Sequence, residues 1–81
     1  MIKENKSKSE IELFVIEIAK ELRLKHNLSQ SELAEKLGVT PGFIGKVESQ
    51  KSPSKYNLNH INQLSKIFEV SPNIFLPKNN F

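Results

Sequence analysis

The chain has 81 residues and no cysteine, which leaves room for one small domain and excludes disulfides, thiolate metal sites and a cysteine nucleophile. Its 12 basic and 9 acidic residues give a net charge of +3, which favours an anionic partner only weakly. No apolar run approaches the roughly 18 residues of a membrane span, and the amino terminus MIKENKSKSE has no hydrophobic signal core. We therefore expect a cytoplasmic protein.

The amino-terminal part combines a polar arm with a long first helix. Residues 1–8 carry lysines and show no helical periodicity, so we expect a flexible arm there, with or without a role of its own. Ser9 and Glu12 have the spacing of a capping box, which predicts that a helix begins directly after them. Apolar residues at helical spacing then extend this helix over about Glu10–Lys25.

The centre of the chain, residues 30–49 (QSELAEKLGVTPGFIGKVES), predicts two short helices joined by a tight turn. A second capping box at residues 29–32 starts the first helix. Gly38 stands where that helix must stop, at a position that favours a residue tolerating positive φ. Thr40 and Pro41 then suit the N-cap and first position of the second helix. The residues expected to form the buried faces of the pair are Leu33, Ala34, Leu37, Ile44 and Val47.

The carboxy-terminal part predicts a loop and two further helices. Residues 50–56 form a loop by their composition, and Asn57 is expected to cap an amphipathic fourth helix. A short fifth helix is expected between Ser71 and Pro77, followed by a frayed tail at residues 78–81.

The segment LRLKHNLSQSELAEKLGVTPGFIGKVE, with the polar loop, amphipathic helix and VSPNIFL that follow it, resembles the phage repressor/Cro type of helix-turn-helix domain, the XRE-like family. The resemblance extends from about Leu22 to Leu76. It implies an all-α, five-helix lambda-repressor-like DNA-binding domain with a central helix-turn-helix, here at residues 9–77. A family member of this kind is a small transcriptional regulator, typically a repressor, that binds double-stranded DNA.

The resemblance implies that the second helix of the pair, residues 41–49, lies in the major groove and meets base edges with its first residues. Lys46 is the one strong hydrogen-bonding base reader among the family's base-facing positions, able to donate to guanine O6 and N7. A solvated or phosphate-contacting Lys46 is an equal alternative. The base-facing positions carried over from the family are Thr40, Pro41, Gly42, Gly45 and Lys46.

Phosphate contacts are expected around the recognition helix. Gln30 is the first residue of helix two, where its side chain and the free N–H groups of the helix can face one phosphate, and the family has glutamine at this position. For each lysine of the following loop, a solvated surface charge is the alternative. The further candidate phosphate contacts are Ser31, Ser49, Lys51, Lys55 and Tyr56.

A pair of charged residues is assigned a structural role, and one aromatic residue has two possible interpretations. The resemblance pairs Arg23 of helix one with Glu48 of the recognition helix, and such a pair would fix the angle between these helices. Phe43 is interpreted either as a base-stacking residue or as an anchor to the body of the domain.

The function is expected to need a second copy of the chain, because one recognition helix reads too few bases for useful selectivity. The resemblance suggests a dimer surface at Ile74, Phe75 and Leu76; the alternative is that these residues close the core. A protein-interaction module of antitoxin or anti-regulator type is the alternative function, since Pro41, Gly42 and Gly45 are poor readers of bases.

Catalysis is not expected. His26 and His60 are far apart in sequence and have no carboxylate or second ligand at metal spacing, which favours surface or capping roles. No triad signature or glycine-rich phosphate loop is present. The sequence therefore predicts a protein that is not an enzyme and that has no cofactor and no metal.

Overall fold

The computed structural model of the protein describes residues 7–81, and residues 1–6 of the predicted arm (residues 1–8) lie outside that range. Over this range the chain forms α-helices and one 3₁₀ turn, with no strand. The all-α architecture predicted from the sequence is confirmed, with a correction at the fifth element. The elements are α1 (Glu10–Lys25), α2 (Gln30–Leu37), α3 (Pro41–Glu48), α4 (Leu58–Phe68) and a 3₁₀ helix (Pro72–Phe75).

The fifth element is a single 3₁₀ turn instead of the expected α-helix. Its hydrogen bonds join residues three apart, from the Ile74 N–H to the Ser71 carbonyl (3.0 Å) and from the Leu76 N–H to the Asn73 carbonyl (3.1 Å). Pro72 and Pro77 bracket the segment, so too few residues remain for a regular α-helix to develop.

The helices begin where capping chemistry predicts. The Ser9 hydroxyl accepts from the Glu12 N–H at 3.2 Å, and the Glu12 carboxylate accepts from the Ser9 N–H at 2.8 Å. The same reciprocal pair forms between Ser29 and Glu32, at 3.0 and 2.8 Å. These bonds satisfy N–H groups that have no partner inside the helix.

The turn of the central motif follows the expected design. Gly38 ends α2 with φ +79°, in the left-handed region. The Thr40 hydroxyl then accepts from the Phe43 N–H at 3.1 Å, and Pro41 occupies the first turn of α3. The predicted end of this helix, Ser49, is its C-cap, one residue beyond Glu48.

All four helices and the 3₁₀ turn contribute to one core, with partly buried apolar side chains around it. Phe75 is fully buried at its centre, so it closes the core and cannot form part of a dimer surface. Its neighbours Ile74 and Leu76 remain 43% and 49% exposed. The largest fully buried side chains are Phe75, Leu33, Ile44, Leu64 and Val47.

The domain begins before Ser9. Lys8 is buried, and Ser7 donates from its hydroxyl to the Ser52 carbonyl at 3.4 Å. The boundary expected between Lys8 and Ser9 is therefore too late in the chain. None of the helices formed by residues 7–81 is long and apolar enough to cross a membrane.

Candidate nucleic-acid interface

The outer face of α3 is formed by the residues that were expected to meet DNA. Ile44 and Val47 point into the core and are fully buried, which fixes the rotation of the helix. The opposite side is left exposed at the amino-terminal end and at the last turn. The exposed residues of this face are Thr40, Pro41, Gly42 and Lys46.

Gly45 differs from the rest of that face. It is half-buried, and a Cβ built on it would lie 3.4 Å from Oε1 of Gln30, at the edge of ordinary contact. Gln30 of α2 lies across α3 at this point, and a Cβ would touch only the end of its flexible side chain. The base-facing position assigned to Gly45 stays a prediction.

A buried ion pair joins α1 to α3. Arg23 donates from Nε to Glu48 Oε2 at 2.8 Å and from Nη2 to Oε1 at 2.9 Å, and its Nη1 donates to the Leu28 carbonyl at 2.8 Å. The side chains of Arg23 and Glu48 are 9% and 4% exposed. The two hydrogen bonds fix the orientation of the guanidinium group and of the carboxylate. The charge of Glu48 therefore faces inward, away from the outer face of α3.

Gln30 extends this network to the surface. Its side-chain amide donates to Glu48 Oε1 at 3.0 Å, while the residue itself is exposed at the first position of α2. Ser31 follows it and is also exposed. The first N–H groups of an α-helix have no intrahelical partner and favour an anion. Gln30 is therefore fixed beside a set of donors at the edge of α3.

The lysines of the loop after α3 differ from each other. Lys51 is exposed, and its N–H donates to the hydroxyl of Ser49 at 3.2 Å, which fixes the start of the loop. Lys55 forms an ion pair with Glu12 of α1 at 3.0 Å, so part of its charge is compensated within the domain. Lys51 is the more available cation for an external anion.

Tyr56 does not suit the phosphate contact that was expected for it. Its side chain is buried, and its hydroxyl has no hydrogen-bond partner within residues 7–81. Burial, with a smaller contribution from the negative charge of Glu48, raises the pKa of Tyr56 above its ordinary value. A hydroxyl enclosed in this way cannot reach a phosphate on the surface, so that expectation was wrong.

Phe43 anchors α3 to the body of the domain. Its ring centroid lies 6.2 Å from that of Tyr56 and 5.3 Å from that of His60, in an aromatic cluster with α4. A side chain half-buried in this cluster is not available to stack on a base. The structure favours the anchor over the base-stacking interpretation.

The two histidines have structural partners. His60 Nδ1 accepts from the Asn57 N–H at 3.0 Å, and the Asn57 side chain accepts from the His60 N–H at 2.8 Å, so the pair forms a capping box at the start of α4. The ring of His26 lies 5.0 Å from that of Phe68. From Ser7 onward, the acidic and histidine side chains form no group of three or more that could hold a metal ion.

Lys8 was missed from the sequence and lies directly behind the interface. Its Nζ donates to the carbonyls of Val47 and Ser49, both at 2.6 Å, at the carboxyl end of α3. The one signal in the sequence was indirect. Ser49, at the C-cap of α3, is neither glycine nor asparagine, so another group must satisfy the last carbonyls of the helix.

Comparison with known protein families identifies a match. The helix-turn-helix family model HTH_3 matches residues 20–75, more than half of the chain, and this span contains α2, α3, α4 and most of the contacts described above. A search of curated proteins found none that matches the chain.

Proposed function

The chain belongs to the helix-turn-helix family of Cro/C1 (XRE-like) type, and from that premise we propose that it binds duplex DNA in a sequence-directed manner as a small transcriptional regulator. In this proposal α3 lies in the major groove and α2 crosses the phosphate backbone. The cytoplasm is where such a protein would meet its DNA.

One observation carries the proposal: α3 leaves its outer face exposed, and the amino terminus of α2 lies against the same helix at Gly45 and Glu48. Thr40, Pro41 and Gly42 begin that face, with no bulky side chain between the helix backbone and a ligand. Gln30 stands at the neighbouring helix start and is held by Glu48. A helix that meets base edges needs such a second element to fix its register on the backbone.

Base contacts would centre on Lys46. It is exposed in the last turn of α3 and, within the described chain, forms no side-chain bond. A lysine in the major groove donates to guanine O6 and N7. Pro41 and the Thr40 methyl group offer apolar contacts of the kind that recognise thymine. With one strong donor per protomer, we expect moderate sequence selectivity.

Phosphate contacts would lie on both sides of α3. Gln30 and Ser31 provide side-chain and backbone donors on one side, while Ser49 and Lys51 provide them on the other. Lys55 would contribute less, because Glu12 competes for its charge. Contacts that flank the helix on two sides would hold it in the groove.

A second copy of the chain would complete the binding unit. Ile74 and Leu76 are exposed, and Leu76 lines a shallow apolar groove together with Ile11 and Leu58, the last of these 81% exposed. Burying these side chains against a two-fold-related copy would remove apolar area from water. A dimer of this kind would place two recognition helices about 34 Å apart, one turn of DNA. Because an operator-bound dimer blocks access to promoter DNA, we propose repression as its effect.

Fluorescence anisotropy with labelled genomic duplexes tests the proposal. The wild-type protein should retain a subset of duplexes, and Lys46→Ala and Gln30→Ala should weaken that retention. Lys66→Ala is the matched control, because Lys66 is exposed in the last turn of α4, a helix outside the proposed site. A folded wild-type protein that binds no duplex would rule out DNA binding and favour the protein-interaction alternative. Binding that is insensitive to salt would contradict the phosphate contacts proposed here.

A further inference from the structure

The carboxyl end of α3 lacks the usual means of ending a helix. The helices α2 and α4 both end in a residue of left-handed conformation, Gly38 with φ +79° and Glu69 with φ +56°. At the same position α3 has Ser49 in an extended conformation, and its N–H bonds only the Lys46 carbonyl. The last carbonyls of α3 therefore need donors from a side chain or from water.

Lys8 supplies those donors from the segment before α1. Its Nζ lies 2.6 Å from the carbonyl oxygens of Val47 and Ser49 and 3.4 Å from that of Lys46. An ammonium has three N–H donors, and here three carbonyls face it. The positive charge also lies at the negative end of the α3 dipole. Burial of the ammonium group is unfavourable and lowers the pKa of Lys8 from its ordinary value. The hydrogen bonds to the carbonyls offset this cost.

Two neighbouring contacts show that Lys8 is part of a larger attachment. The Ser7 hydroxyl donates to the Ser52 carbonyl at 3.4 Å, and Glu12 pairs with Lys55 at 3.0 Å. With the bond from Lys8 to Ser49, residues 7–12 hold the loop at three points, three residues apart. This loop carries Lys51, which is exposed and is more available to a phosphate than Lys55.

We propose that Lys8 is a positioning residue for DNA binding: it fixes the carboxyl end of the recognition helix and holds the following loop so that Lys51 and Ser49 meet the phosphate backbone. The proposal rests on the function proposed above and assigns a role to a residue outside the span that the family model matches. Lys8 is buried and would not itself contact DNA. Its effect would pass through the carbonyls it binds.

The first test concerns the loop alone and needs no DNA. In Lys8→Met the apolar stem is kept while the three donors are lost. Amide hydrogen exchange measured by NMR should become at least about 10-fold faster in residues 49–55 and stay unchanged in α2, as expected for local opening. Lys20→Met is the matched control, because Lys20 lines the same groove between α1 and α3 and makes no hydrogen bond or ion pair within residues 7–81. Unchanged exchange in residues 49–55 would overturn the proposal.

The second test is a double-mutant cycle of Lys8→Met with Lys51→Ala, measured as affinity for a retained duplex. If Lys8 acts by positioning the loop, Lys51→Ala should weaken binding roughly 5-fold in the wild-type background and less than about 2-fold in Lys8→Met. Equal losses in both backgrounds would show that Lys8 acts only as a charge, and would overturn the proposal. Should Lys8→Met melt below the assay temperature, Lys8→Gln, which keeps an uncharged donor, takes its place.

These tests separate the two proposals from each other. A wild-type protein that binds no DNA contradicts the proposed function, whatever the exchange rates are. Faster loop exchange in Lys8→Met combined with wild-type DNA affinity contradicts the positioning role and leaves DNA binding intact.

Discussion

The side-chain amide of Gln30 donates to the carboxylate of Glu48 at 3.0 Å, and this bond links an exposed residue of α2 to the buried ion pair between α1 and α3. Gln30 therefore has a fixed orientation before any ligand arrives. A contact from a fixed side chain costs less conformational entropy than one from a mobile side chain. The ion pair thus supports both the fold and the proposed site.

The ion pair itself predicts a pattern of stabilities. Glu48→Met leaves the Arg23 guanidinium buried without its counter-charge, so we expect a loss of about 3–5 kcal/mol in the free energy of unfolding. Arg23→Met/Glu48→Met should be more stable than Glu48→Met alone, since no uncompensated charge remains. Urea denaturation followed by circular dichroism measures both.

Glu35→Gln is the control for this comparison, because Glu35 is exposed on α2 and should change the free energy of unfolding by less than about 0.5 kcal/mol. A Glu48→Met protein as stable as that control would show that the pair does not hold α3.

Substitution of Gly45 and Gly38 by alanine is expected to change the free energy of unfolding in opposite directions. At Gly45 a new Cβ would meet only Gln30 Oε1, at 3.4 Å, so Gly45→Ala should raise the free energy of unfolding by up to about 1 kcal/mol through its higher helix propensity. At Gly38 the φ of +79° disfavours any side chain, and Gly38→Ala should lower it by about 1 kcal/mol or more. Thermal unfolding separates the two, and a destabilised Gly45→Ala would contradict the packing described at that site.

His60 predicts a dependence of stability on pH. Burial lowers its pKa from the ordinary value of 6.5, and its Nδ1 accepts the Asn57 N–H bond only in the neutral form. Between the lowered folded pKa and 6.5 the unfolded chain binds more protons than the folded chain. Stability should therefore be full above this window and fall as the pH decreases through it.

The measurement is urea denaturation at a series of pH values, with His60→Gln as control. The amide oxygen of the introduced glutamine can accept the hydrogen bond from the Asn57 N–H and does not titrate. The part of the pH dependence that comes from His60 should therefore disappear. A wild-type profile that matches that of His60→Gln would contradict the role given to the histidine.

Tyr56 offers a test of the corrected assignment. Its hydroxyl is buried without a partner in the described part of the chain, so Tyr56→Phe removes an unsatisfied polar group and should leave stability unchanged or raise it by about 1 kcal/mol. DNA affinity should also stay unchanged. A selective loss of affinity in Tyr56→Phe would restore the residue as a phosphate contact.

The sequence predicted those parts of the fold that depend on neighbouring residues. Capping boxes at Ser9 and Ser29, the left-handed position of Gly38 and the Thr40-Pro41 start of α3 all depend on interactions within a few residues. The capping box of α4 was missed because His60 occupies the position where the usual pattern has Glu or Gln.

The contacts that could not be predicted join distant parts of the chain. The bond from Lys8 to Val47 spans 39 residues, and a flexible lysine in a polar segment gives no local sign of burial. Tyr56 resembled an interface residue by its place in a basic loop, yet the aromatic cluster with Phe43 draws it into the core. The contact between Gly45 and Gln30 likewise joins two helices and has no local sign in the sequence.

We propose that the outer face of α3, with the start of α2 and the loop after α3, forms the DNA-binding surface. The direct measurement is an NMR titration of the labelled protein with a retained duplex, followed residue by residue. We predict the largest changes in chemical shift at Gln30, Ser31, Lys46 and Lys51. Leu58 lies outside this surface, so DNA contact should not change its chemical shift directly. Shifts confined to Ile11, Leu58 and Ile74, with none on α3, would show that α3 does not contact the DNA.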